Sequence, residues 1–101
     1  MAVVDIKEYQ RMVTDQNGGA VQTGIEPGIK QQIAVSGVSA AVGNAFDQST
    51  QFIRVHADVV VRVEIGAGTP TADGTSMRMA AGATEYFGVR PGHKIAAITS
   101  T

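Results

Sequence analysis

Residues Phe52–Ile65, FIRVHADVVVRVEI, decide the fold. Ile53, Val55, Ala57, Val59, Val61, Val63 and Ile65 occupy one phase of a two-residue alternation. Arg54, His56, Asp58, Arg62 and Glu64 occupy the other, interrupted only by Val60. Successive side chains of a strand point to opposite faces, so this pattern writes one apolar face and one wet face. The 13 residues from Ile53 to Ile65 exceed an ordinary strand. They form either one strongly bent strand or two strands joined near His56–Asp58.

Working outward, residues 29–36 alternate in the same way, with Ile29, Gln31, Ile33 and Val35 against Lys30, Gln32, Ala34 and Ser36. Residues 76–81 place Met77 and Met79 on one face as adaptable core filler, with Arg78 on the other. Residues 84–89 read as a strand in which Tyr86 and Phe87 oppose each other. Arg90–Pro91–Gly92–His93 is a tight turn, in which Pro presets the first central φ and Gly takes the positive one. Residues 94–99 close the domain as a last strand. Residues 38–44 and 44–51 give no regular pattern, and 66–76, with three Gly and one Pro, reads as a long exposed loop tip. Six to eight strands at this spacing predict an all-β fold, an antiparallel β-sandwich or jelly roll.

Residues 1–28 read differently. Ile6, Tyr9 and Val13 suit a short helix, while Val4 and Ile6 suit an extended start. Residues 15–28 hold four Gly and a Pro within 14 positions. This predicts an extended N-terminal arm over 1–28, either a mobile leader or a segment ordered on a neighbouring subunit, followed by a sandwich domain over 29–101.

Composition bounds the function. A chain of 101 residues supports one core. Charged residues make up only 17%, and a small, uncharged polar surface packs against other protein without desolvating many charges. The net charge of −1 with no local run of Lys or Arg argues against nucleic acid. Cysteine is absent, which leaves no disulfide framework and no thiol chemistry. No apolar stretch is long enough to span a bilayer or serve as a signal peptide, so synthesis in the cytoplasm is expected.

The search for chemistry finds nothing that converges. His56 and Asp58 share a strand face and His93 lies in a turn; a metal would need all three together and a further ligand. No serine stands in a nucleophile elbow, and GAGTPTADG lacks the Lys and following helix of a phosphate cradle. Asp58, Glu64, Asp73 and Glu85 are scattered single acids. The reading is of a non-enzyme with no catalytic, cofactor-binding or metal-ligating residues and no cofactor.

The C-terminal half also resembles a family of small tailed-bacteriophage virion proteins. The features are Phe52–Arg54–Val55, then Ile65, Gly68, Pro70, Thr71 and Ala72. Met79–Ala80–Ala81 follow, and then Glu85, Tyr86, Phe87, Val89, Pro91, Gly92, Lys94, Ile95 and Ala96. The opening, EYQRMVTDQNGGAVQTGIEP, is similar to the leader of such proteins. The resemblance covers about half the chain well, and its motifs are structural rather than catalytic. It implies a decoration (cement) protein on an HK97-type capsid, bound to the major capsid protein at capsomer joints, self-associated as a dimer or trimer, and located on the virion. The arm (14–28), the 66–76 loop and the 90–93 turn are then the expected contact regions. Alternatives are a neck- or tail-associated virion protein and a carbohydrate-binding adhesion module.

Overall fold

The computed structural model describes residues 2–10, 12–14, 20–24 and 28–100. Among them are ten strands and no helix: β1 (Val3–Tyr9), β2 (Met12–Thr14), β3 (Ala20–Gly24), β4 (Ile29–Ala34), β5 (Ala40–Ala41), β6 (Phe52–Ala57), β7 (Val61–Ala67), β8 (Met77–Met79), β9 (Thr84–Gly88) and β10 (His93–Thr99). Eight of these strands build two antiparallel four-stranded sheets, ordered β4-β1-β6-β9 and β5-β10-β7-β8. β2 and β3 pair with each other as a separate hairpin.

The pairings β5·β10, β6·β9 and β7·β8 are nested, so the β5–β6–β7 half of the chain folds back on the β8–β9–β10 half. This is jelly-roll winding. β4, the next strand out, pairs with β1.

Phe52–Ile65 resolves into two strands in different sheets, β6 and β7, joined across residues 58–60. The alternation runs unbroken through the corner. Ile53, Val55 and Ala57 line the inner face of the first sheet, while Val61 and Val63 line that of the second. Val60 falls in the link, which explains why it alone breaks the pattern. The corner's backbone is satisfied from both layers: Asp58 N–H donates to Val3 O (3.1 Å), and Ser100 N–H donates to Val60 O (2.9 Å).

Between the layers, Val4, Ile6, Ile33, Ile53, Val55, Val61, Val63, Met79 and Ile95 form one apolar core. Each such side chain contributes roughly 1.5–3 kcal/mol by leaving water.

Two expectations are corrected. The sandwich does not begin at residue 29. Val3–Tyr9 is the strand between β4 and β6, with Val4 and Ile6 buried. The extended start that Val4 and Ile6 permit prevails over a helix because both neighbouring strands offer ladder partners. The rest of the predicted arm is the β2–β3 hairpin, and residues 11, 15–19 and 25–27 lie outside the described residues. Second, only Met79 is core filler (1% exposed); Met77 is 49% exposed, since β8 is a three-residue edge strand.

Candidate interaction surface

Because β1, β4, β6 and β9 alternate in register, the outer face of the first sheet is organised in cross-strand rows. At one end stand Tyr9 and Phe52. The next row is Lys30, Lys7, Arg54 and Tyr86. Beyond it lie Gln32, Asp5, His56 and Thr84.

The polar row is internally bonded. Gln32 Nε2 donates to Asp5 Oδ1 (2.6 Å), and His56 Nδ1 bonds Thr84 Oγ1 (2.9 Å). In the aromatic row, Tyr9 stacks on Phe52 with centroids 5.3 Å apart, and Tyr86 lies 6.1 Å from Phe52. Lys7 Nζ sits 5.9 Å from the Tyr9 ring centroid, within cation–π range. Asp5, Lys7, Lys30, Gln32 and Arg54 line an open groove of about 490 Å³ on this face.

The outer face of the second sheet is occupied by the chain itself. The 66–76 segment, expected as an exposed tip, folds back over it. Ser76 Oγ donates to Glu64 Oε1 (2.9 Å), Arg62 Nη1 donates to Ser76 O (2.8 Å), and Ala72 N–H donates to Ser39 Oγ (2.9 Å). Glu64 is on β7 and Ser39 precedes β5, with β10 between them in the sheet, so the segment crosses β10. Ala72 and the outward-facing Ala96 are accordingly buried. Gly and small residues made this stretch read as a tip; Ser39, Arg62 and Glu64 supply the polar partners that hold it down.

One end of the sandwich gathers the remaining segments expected to make contacts. Gln51 N–H donates to Tyr9 O (2.9 Å) and Val89 N–H to Gln51 O (3.0 Å). Gly92, with φ of 82°, makes the predicted turn, and the turn is stitched to residue 46 by Gly92 N–H to Phe46 O (3.1 Å) and Phe46 N–H to His93 O (2.8 Å). Ala67, where the 66–76 segment leaves β7, pairs with His93. The root of that segment, the 90–93 turn and the departure of the chain at Gln10 thus share one end.

The same end carries a device that the sequence reading missed. Glu8 is 2% exposed on the inner face, and its carboxylate accepts from Thr50 Oγ1 (2.8 Å), Asp47 N–H (2.9 Å) and Gln31 Nε2 (3.1 Å). Two of the three donors come from DQST at 47–50. DGTS at 73–76 repeats the arrangement on Glu64. In each, the Asp accepts from the N–H and hydroxyl two residues on, and the fourth residue sends a hydroxyl to a sheet glutamate. Those bonds, the hydroxyl of Ser49 or Thr75 foremost and then its N–H, hold the Asp47 and Asp73 carboxyls below the ordinary carboxylate range. The repeated D-x-[ST]-[ST] spacing was the available signal.

The candidate chemical residues are dispersed. His56 lies on the outer face of the first sheet, His93 opens β10 in the second, and Asp58 is in the corner loop. Among the described residues no three His, Asp or Glu side chains form a group able to hold a metal. Glu85 is on β9 of the first sheet, opposite Val55, whereas Glu64 is on β7 of the second and Asp73 lies in the 66–76 segment. No helix of the described residues is long and apolar enough to cross a membrane. No family model, no curated protein and no solved structure matches the chain.

Proposed function

We propose that this chain is a non-enzymatic structural subunit of a tailed-phage virion, a decoration (cement) protein on the outside of the capsid. The observation that carries the reading is the shared end of the sandwich. There the 90–93 turn, the root of the 66–76 segment and the departure of the chain toward the β2–β3 hairpin stand together on a rigid jelly roll. Several loops on one end can touch more than one neighbour. Once the first contact forms, later ones become intramolecular, and avidity exceeds any single contact. Binding the assembled shell alone then stabilises that shell by mass action. The low charge content and the phage-type motifs of the C-terminal half support the same reading.

In this proposal the partner is the major capsid protein at capsomer joints, and the subunit reaches the particle after synthesis in the host cytoplasm. Self-association as a dimer or trimer covers the open sheet edges. Sugar recognition has weaker support, since Tyr9 and Phe52 are buried and only the half-buried Tyr86 remains of the Tyr and Phe rings on the outer face.

Purified protein mixed with undecorated heads is expected to co-sediment with them. Protein that stays in the supernatant at saturating concentration overturns the reading. Densitometry of virions separates the head from the neck: a cement is present in many copies per particle, a neck protein in few.

A further inference from the structure

Lys30, Lys7 and Arg54 stand directly opposite one another on three adjacent strands, on the outer face of the first sheet. Neighbouring strands are about 4.8 Å apart, so three of the chain's eight Lys and Arg are rooted within about 10 Å. Like charges directly opposite each other work against sheet pairing. The row lines an open groove of about 490 Å³.

We propose that this groove docks an acidic segment of a protein partner, with its carboxylates seated on Lys30, Lys7 and Arg54. The inference deepens the adhesion reading above by naming the chemistry of the surface that the subunit grips. Beneath Lys7 and Arg54 the backbone belongs to the central strands β1 and β6, each committed to two ladders, and Lys30 stands on the extended edge strand β4, so no nest of N–H groups converges on a single small anion. Charge is offered only at the tips of three long side chains spread across three strands, which suits carboxylates distributed along a chain. Three cations on a protein of net charge −1 release few counterions, and with Tyr9 and Phe52 buried the half-buried Tyr86 is the one Tyr or Phe left on this face to stack a base, so nucleic acid fits poorly. Asp5, held by Gln32 in the adjoining row, repels carboxylates there and fixes where the segment lies.

The test is an NMR titration of the full chain with three probes: a short Glu-rich peptide, the matching Gln-rich peptide and inorganic phosphate. The Glu-rich peptide is expected to shift resonances around residues 5–7, 30–32 and 54, with binding that weakens as salt is added. Lys30→Ala with Arg54→Ala should weaken it about tenfold or more. Should that pair disturb folding, Lys30→Gln on the edge strand reads the same loss in smaller measure. No response to the Glu-rich peptide, an equal response to the Gln-rich one, phosphate reproducing the shifts, or unchanged binding by the variants each overturns the proposal. Because no capsid is present, failure here is distinct from failure to bind heads.

Discussion

Glu8 shows how a single acidic residue can occupy the inner face of an apolar sandwich. Its carboxylate accepts from Thr50, Asp47 and Gln31, so each of its two buried oxygens has a partner. Removing one donor is expensive, because the other partner stays buried. Thr50→Val should lower unfolding stability by about 1–3 kcal/mol, read by chemical denaturation. At Asp73 the folded carboxyl titrates below its unfolded value, so its contribution is complete at neutral pH and is lost as pH falls through the lowered value. Thr75→Ala removes the largest cause. The Asp73 midpoint in an NMR pH titration should then rise, while that of Asp47, held separately by Ser49, stays in place.

At the scale of elements, position in the sheet outweighs residue type. Met77 and Met79 are the same residue two positions apart in one short strand. Met79 opposes Val61 and is sealed in the core, whereas Met77 opposes Val63 and is half exposed. Met79→Ala should cost about 2–5 kcal/mol. Met77→Ala should stay within about 0.5 kcal/mol, and comparable losses at both sites would contradict this placement. The alternation made both strands readable but gave no information about how far each edge extends. The 66–76 segment teaches a similar lesson. Its Gly and Pro content marks a turn-rich stretch correctly, yet its docking depends on Ser39 and Glu64, which are distant along the chain.

For the whole molecule, the decisive element is β1. It closes the jelly roll by pairing with β4 and β6, and its Val4 and Ile6 are as buried as any core residue. A chain starting at Gly28 should therefore lose cooperative unfolding, followed by circular dichroism, instead of behaving as a sandwich that has shed a leader. The same strand carries Lys7 into the cationic row and Glu8 into the buried network, so the candidate groove and the core share one element.

Local alternation was sufficient to establish an all-β chain, the inward phase of residues 53–65 and the 90–93 turn, because side-chain direction and turn geometry depend on residues adjacent in sequence. Partner choice was not local. That Val3–Tyr9 enters the first sheet, that 66–76 lies across β10, and that Lys30, Lys7 and Arg54 form one row all follow from register between strands more than twenty residues apart. Register is set by the burial of both faces at once, and only the assembled sandwich holds both.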